Sequence, residues 1–117
     1  MGLQIDIQNR VLVANLSGEM DHHQTERMRA QIDAAFEKSS CRHILLNMAE
    51  ITFMDSSGIG LIIGRYKNAE KRGGKLALAE MSDPIARLFE ISGLAKIVLK
   101  TVTVTDALLV LGGTQNE

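Results

Sequence analysis

Hydrophobic and polar residues alternate at the start of the chain and indicate two paired strands. Leucine or isoleucine stands at positions 3, 5 and 7 with polar residues between them, which is the period of a strand that buries one face. The dipeptide Asn9-Arg10 predicts a tight turn, and the mainly apolar residues 11–16 predict the returning strand of a hairpin. The segment Ser17-Gly18-Glu19 interrupts this pattern, so the second strand is expected to end before it.

A change to helical spacing after the hairpin predicts a first helix over residues 22–38. Asp21 stands where an N-cap is expected, and Gln24 follows three residues later, which is close to a capping box. Apolar residues then recur three or four positions apart and form one stripe for burial: Met28, Ile32, Ala35 and Phe36. Ser39-Ser40 is expected to end this helix.

The short apolar run 44–46 predicts a strand that is covered on both faces, and residues 75–79 predict another buried strand. Between them, a second helix is expected to start in the segment Asp55-Ser56-Ser57-Gly58 and to continue to about Arg72. The pair Gly73-Gly74 then supplies a C-terminal stop signal.

The segment Ser82-Asp83-Pro84 predicts the start of a third helix, because proline is tolerated in the first helical turn. Its expected apolar stripe consists of Ile85, Leu88 and Phe89, and Gly93 is expected to end it.

The last elements complete an alternating pattern of strands and helices. Residues 97–99 predict a short strand, and Thr103 with Asp106 resembles a capping box for a final helix that ends near Gly112-Gly113. The order ββαβαβαβα predicts one α/β domain over residues 1–117, with a mixed sheet of four or five strands packed with four helices.

The amino-acid composition limits the kinds of partner that this protein is expected to bind. The 117 residues include 13 Lys and Arg against 14 Asp and Glu, a formal net charge of −1, which argues against nucleic acid as the main partner. No apolar stretch reaches the length of a membrane span, and the N-terminus lacks the order of a signal peptide. A cytoplasmic protein is expected, and its single cysteine cannot form an internal disulfide.

The segment Asp55-Ser56-Ser57-Gly58 is the sharpest local feature, because it places hydroxyl groups where a strand passes into a helix. The first N–H groups of a helix lack internal partners, so a hydroxyl there can cap the helix and a phosphate there can be cradled. In the simplest interpretation, Asp55 and Ser56 are only caps. The alternative is a functional turn that presents Ser57.

Three glycines follow within this predicted helix: Gly58, Gly60 and Gly64. Each lowers the stability of a helix by about 1 kcal/mol relative to alanine. Gly60 and Gly64 share a face and are expected to permit close helix packing, whereas Gly58 is expected to leave room for a molecule that approaches the hydroxyl. At least one side chain of the apolar residues between positions 59 and 63 is expected to be exposed for docking.

Other chemistry at such a turn has weaker support. A dinucleotide-binding turn needs a third glycine that is missing after Gly58-Ile59-Gly60, and a P-loop would need Ser or Thr where Leu76 follows Gly74-Lys75. Neither Ser56 nor Ser57 has the flanking glycines of a hydrolase elbow.

The histidine and cysteine side chains give little support for catalysis at Ser57 or for a metal site. The histidines, which could approach Ser57 only through the fold, are expected to be surface or hydrogen-bonded residues: His22, His23 and His43. Cys41 and His43 form one pair without a second pair at zinc spacing, so no metal site is expected and Cys41 is interpreted as an inert thiol.

Several blocks together resemble the STAS-domain family of anti-sigma-factor antagonists. They cover nearly the whole chain and are Gly18-Glu19-Met20-Asp21-His22-His23, Arg42-His43-Ile44, Phe53-Met54-Asp55-Ser56-Ser57-Gly58-Ile59-Gly60, Gly64-Arg65-Tyr66-Lys67 and Arg87-Leu88-Phe89-Glu90-Ile91-Ser92-Gly93-Leu94. The Asp-Ser-Ser-Gly block is shared widely in the family. The Asp-His-His and Arg-Leu-Phe blocks resemble the sporulation members that control sigma factor F in endospore-forming bacteria.

This resemblance implies a partner switch without catalysis by this chain. The unphosphorylated antagonist would bind an anti-sigma factor that is also a serine kinase, and phosphorylation of Ser57 by that kinase would end binding until a PP2C-type phosphatase resets it. ATP and magnesium would belong to the kinase, so this chain would need no cofactor of its own. The expected partner surface, which Asp55 supports, is Asp21, His22, Ser56, Ser57, Gly58, Ile59, Gly60, Leu61 and Ile62.

Two alternatives remain open at this point. One is an antagonist of a different anti-sigma factor, such as one for a stress-response sigma factor. The other is a nucleotide-binding or hydrolytic protein that uses the same turn.

Overall fold

The computed structural model describes residues 2–112, within which five strands form one mixed sheet and four helices pack against it. The strands are β1 (Leu3–Gln8), β2 (Val11–Met20), β3 (His43–Met54), β4 (Leu76–Ala79) and β5 (Leu99–Lys100). The helices are α1 (His22–Lys38), α2 (Ser56–Lys71), α3 (Asp83–Ser92) and α4 (Val104–Gly112). The predicted fold class and element order are therefore confirmed. Gly113, near which the last helix was expected to end, lies outside the described residues.

The sheet follows the order of the sequence, β1-β2-β3-β4-β5. β1 pairs antiparallel with β2, and the remaining pairs are parallel. Asn9 and Arg10 both have positive φ values, 52° and 65°, as the tight turn between two hairpin strands requires. Parallel pairing brings the carboxyl ends of β2 and β3 to one edge, where α1 and α2 begin.

The core has two unequal layers on the two faces of the sheet. Helices α1, α2 and α3 cover one face, with Met28, Ile62 and Phe89 among the side chains that they bury. Helix α4 covers the other face through Ala107 and Leu111. The central residues 44–46 are 0% exposed because both faces are covered, which confirms the interpretation of a strand buried on both sides.

The second and third strands are longer than the hydrophobic pattern predicts. β2 continues through Ser17-Gly18-Glu19 to Met20, and β3 continues to Met54, where these two residues pair. Register shifts between Asn15 and Ser17 and between Gly18 and Glu19 accommodate the polar segment. The expected end of β2 was wrong, because backbone pairing with β3 persists where side chains face solvent.

The third helix and the fifth strand also differ in detail from the prediction. Leu88 is 41% exposed, so the buried stripe of α3 consists of Ile85 and Phe89. A short 3₁₀ turn at Leu94–Lys96 delays β5 to Leu99, and Ile97 is exposed. None of the helices within residues 2–112 is long and apolar enough to cross a membrane.

Candidate functional site

Two helix starts lie side by side at the carboxyl edge of the parallel strands. The paired residues Met20 and Met54 are buried, and Asp55 N donates a hydrogen bond to Met20 O at 3.4 Å. The following residues, Asp21 and Asp55, are the N-caps of α1 and α2. The fold therefore brings the two separate parts of the predicted surface together, at the edge where open parallel sheets commonly bind ligands.

Aspartate side chains cap both helices and leave the serine hydroxyls out of the caps. Asp21 Oδ1 accepts from Gln24 N at 2.9 Å, and Asp55 Oδ1 accepts from Ser57 N at 2.8 Å. Ser56 is exposed, and Ser57 is half-buried. Within residues 2–112, no hydrogen bond reaches Ser57 Oγ. The simplest interpretation therefore holds for Asp55 but not for Ser56, and it leaves the Ser57 hydroxyl unused.

A groove of about 280 Å³ opens between α1 and α2 beside this hydroxyl. Its lining residues recur at helical spacing on both walls, namely His22, Thr25, Glu26 and Arg29 from α1 and Ser57, Gly60 and Leu61 from α2. Thr25, Glu26 and Arg29 were absent from the predicted surface. Their spacing of three, four and seven residues from His22 could have placed them there.

The glycines of α2 have roles that differ from the sequence prediction. A Cβ atom at Gly60 or Gly64 would have no neighbour within 4 Å, so these residues do not permit close helix packing and that expectation was wrong. A Cβ atom at Gly58 would clash with the Met54 side chain and lie 3.2 Å from Met20 Cβ. Gly58 is therefore needed for internal packing rather than for the approach of another molecule, and Gly60 keeps one wall of the groove open.

The apolar residues of the second helix start divide between core and surface. Leu61 and Ile62 are 3% and 0% exposed, so their side chains mainly support the surface from within. Ile59 and Ile63 are half-buried and reach the surface in part. The part of the predicted surface that is accessible therefore consists of Asp21, His22, Ser56, Ser57, Ile59 and Gly60.

No histidine within residues 2–112 makes a hydrogen bond with the Ser57 hydroxyl. His22 lines the groove but makes no hydrogen bond with Ser57 Oγ in the described part of the chain. His43 begins β3, at the opposite end of the strand that leads to Ser57, and its Nδ1 accepts from Lys75 N at 2.9 Å. Burial, with the nearby charges of Arg42 and Lys75, lowers the pKa of His43.

The described residues offer no ready metal site. Across residues 2–112, no three His, Cys, Asp or Glu side chains are grouped so that they could hold a metal ion. Cys41 is buried at 3% exposure, and its backbone N–H donates to Ser39 Oγ at 3.2 Å.

Comparison with known proteins identifies the family. The STAS domain pattern matches residues 2–107. An anti-sigma F factor antagonist from Paenibacillus polymyxa is 44% identical over 100 residues, covering 84% of this chain and 86% of the relative. The chain belongs to the STAS-domain family of anti-sigma factor antagonists. The anti-sigma-B factor antagonist of Bacillus subtilis (strain 168) matches this STAS domain at 30% identity, over 84% of this chain and 90% of the relative.

Solved structures agree with this assignment. The anti-sigma factor antagonist SpoIIAA in its unphosphorylated form is similar with a TM-score of 0.82 and 32% identity, over 96% of this STAS domain and 97% of that chain. The phosphorylated form of the Bacillus cell fate determinant SpoIIAA is similar with a TM-score of 0.71 and 32% identity, over 92% and 96% of the two chains.

Proposed function

We propose that this STAS domain acts in the cytoplasm as an anti-sigma factor antagonist whose binding is switched by phosphorylation of Ser57. In the unphosphorylated state it binds an anti-sigma factor that is a serine kinase, and sigma factor F is released. The observation that carries this proposal is the Ser57 hydroxyl, which stands at a helix start beside an open groove while Asp55 does the capping. The 44% identity to an anti-sigma F factor antagonist supports sigma factor F as the target.

The phosphoryl transfer needs chemistry that the kinase partner supplies. Ser57 Oγ attacks the γ-phosphorus of ATP, the bond from that phosphorus to the bridging oxygen of ADP breaks, and the hydroxyl proton passes to a base of the kinase. ATP and magnesium belong to the kinase, and this chain acts as substrate rather than as an enzyme. A PP2C-type phosphatase then uses water to return the hydroxyl and inorganic phosphate.

The accessible surface at the two helix starts is the contact surface in this proposal. Asp21, His22, Ser56, Ile59 and Gly60 surround Ser57, whereas Gly58, Leu61 and Ile62 hold the backbone from below. A phosphoryl group adds about 1.5 to 2 negative charges in the centre of this surface. Like charges brought together at an interface are unfavourable by several kcal/mol, and each 1.4 kcal/mol is about tenfold in affinity.

An anti-sigma factor of the stress response is the second candidate partner. The 30% identity to the anti-sigma-B factor antagonist favours this candidate, although the identity to the sigma F antagonist is higher. The shared fold does not distinguish the two partners. Measured affinities for both kinases will separate them.

Calorimetric titration of this chain with the purified sporulation anti-sigma kinase, and separately with its stress-response paralogue, tests the proposal. We expect tight binding of the unphosphorylated protein to the sporulation kinase and at least tenfold weaker binding of Ser57→Asp. Ser56→Asp, which adds the same charge one residue away, is the matched control and should weaken binding less. Equal binding by both aspartate variants and the parent protein would refute the switch.

A further inference from the structure

One wall of the groove carries a cation for which residues 2–112 provide no partner. Arg29 is exposed on α1 and lines the same groove as Ser57. Within residues 2–112, its guanidinium makes no hydrogen bond and no ion pair, not even with Glu26 one turn before it. An arginine side chain that is not held by another group is free to move toward an anion that appears in the groove.

A second cation lies farther along the same pair of helices and is close enough to Arg29 to be repelled by it. Arg65 on α2 is only 4% exposed, and its Nε lies 3.0 Å from Asp33 Oδ1 in an ion pair. Its Nη1 is buried without a hydrogen-bond partner in the described part of the chain. Burial and the like charge of Arg29 lower the pKa of Arg65, whereas Asp33 opposes this change. An anion near Arg29 would relieve this repulsion.

The groove also has the space and the polarity for a phosphoryl group. Gly60 contributes no side chain to its wall, and a Cβ atom there would meet nothing within 4 Å. Ser57 stands in the first turn of α2, where the partial positive charge of the helix start favours an anion. The open space at Gly60, the positive end of α2 and the guanidinium of Arg29 therefore all lie at the groove beside the Ser57 hydroxyl.

We propose that the phosphoryl group of phosphorylated Ser57 turns into the α1–α2 groove and forms an ion pair with Arg29. This inference rests on the proposed function, in which Ser57 carries the phosphate. Arg29 is a positioning residue in this arrangement and takes no part in the transfer. The ion pair occupies part of the groove between the two helix starts, so that phosphorylation closes a part of the surface that is open in the unphosphorylated protein.

Several charged groups face the phosphoryl group and act on its second ionisation, which has an ordinary pKa near 6. Glu26 on α1 and the caps Asp21 and Asp55 disfavour the dianion. Arg29 favours it, and so does His22 when it is protonated. Because only Arg29 is removed in the test variant, the other groups contribute equally to each sample.

The test is a ³¹P NMR titration of protein that carries phosphoserine at position 57, incorporated during translation so that no kinase is needed. The parent sequence is compared with Arg29→Gln and with Arg27→Gln, which removes the same charge from an exposed residue of the same helix outside the groove. We expect the phosphoserine titration midpoint to rise by about 0.2 to 0.7 pH units in Arg29→Gln, as the loss of an exposed ion pair implies.

Each outcome of this titration decides the inference. Arg27→Gln should titrate like the parent, the midpoint of Arg29→Lys should lie between those of the parent and Arg29→Gln, and high salt should reduce the difference between the parent and Arg29→Gln. Equal midpoints for the parent and Arg29→Gln, or equal shifts for both glutamine variants, would overturn it. Because phosphoserine is installed directly, a failure here is distinct from a failure of the kinase to phosphorylate Ser57.

Discussion

Gly58 and Gly60 lie two residues apart in α2 and face different surroundings. The Cα of Gly58 packs on Met54 and Met20, whereas the Cα of Gly60 faces the open groove. We expect Gly58→Ala to lower the free energy of unfolding by about 1–3 kcal/mol, because the Met54 side chain must move. Gly60→Ala should raise it by up to about 1 kcal/mol, because alanine is the better helix former and nothing obstructs its methyl group.

Urea unfolding of both alanine variants measures these differences, with Gly64→Ala as the control for a glycine that has open space outside the groove lining. In the kinase titration, Gly60→Ala should weaken binding in spite of its greater stability, while Gly64→Ala should bind like the parent. A destabilised Gly60→Ala that binds with full affinity would contradict the role assigned to the groove.

His43 makes the stability of the protein depend on pH. Burial and the charges of Arg42 and Lys75 lower its pKa below the ordinary value of 6.5, so the unfolded chain binds a proton more readily than the folded protein. The stability from neutral His43 is therefore complete above pH 6.5 and is lost as the pH falls from there through the lowered pKa.

Urea unfolding between about pH 7.5 and pH 5 tests this dependence. His43→Asn, whose side-chain oxygen can still accept from Lys75 N, should lose less stability on acidification than the parent. His23→Asn, which changes an exposed histidine, should follow the parent. Parallel profiles for all three proteins would show that His43 does not carry the effect.

At the scale of elements, an ion pair fixes α1 against α2 below the groove. Asp33 on α1 receives hydrogen bonds from Arg65 Nη2 at 3.3 Å and from Asn68 Nδ2 at 3.0 Å. Asp33→Ala leaves the buried guanidinium of Arg65 without its carboxylate. Since the Asp33 side chain is 36% exposed, we expect the free energy of unfolding to fall by about 1–3 kcal/mol, less than the 3–5 kcal/mol typical of breaking a fully buried pair.

Chemical unfolding of the single and double variants measures this coupling. The double variant Asp33→Ala, Arg65→Met should recover much of the loss, because it removes the uncompensated charge as well. Glu37→Ala, which removes an exposed carboxylate from the same helix, should change stability little. If Asp33→Ala were as mild as Glu37→Ala, the ion pair would not hold the two helices together.

Hydrophobic periodicity predicts the elements of this chain well where side-chain burial sets their bounds, and poorly where backbone pairing sets them. Local spacing predicts the aspartate caps and the α1 stripe, and the structure confirms the caps and the burial of Met28, Ile32 and Phe36, whereas Ala35 is only half-buried. The last residues of β2 stay paired although Ser17, Gly18 and Glu19 are polar, because β3 supplies their hydrogen-bond partners. Only the three-dimensional pairing could show this.

At the scale of the whole molecule, the parallel sheet assembles the candidate site from two distant segments. Asp21 with His22 and the segment from Ser56 to Gly60 could be named from the sequence, because helix-start signals and the family resemblance are local. Helical spacing from His22 could have placed Arg29 on the same side of α1, but only the packing of α1 beside α2 shows that this side faces Ser57. The open space at Gly60 likewise depends on the spacing of the two helices.

Phosphosite mapping tests whether Ser57 is the switch residue. The protein is incubated with the sporulation anti-sigma kinase and ATP, and intact mass and fragment mapping are recorded for the parent, Ser57→Ala and Ser56→Ala. We predict a single phosphate on Ser57 in the parent and in Ser56→Ala, and none in Ser57→Ala. No phosphate on the parent, or a phosphate on Ser56 instead, would contradict the account.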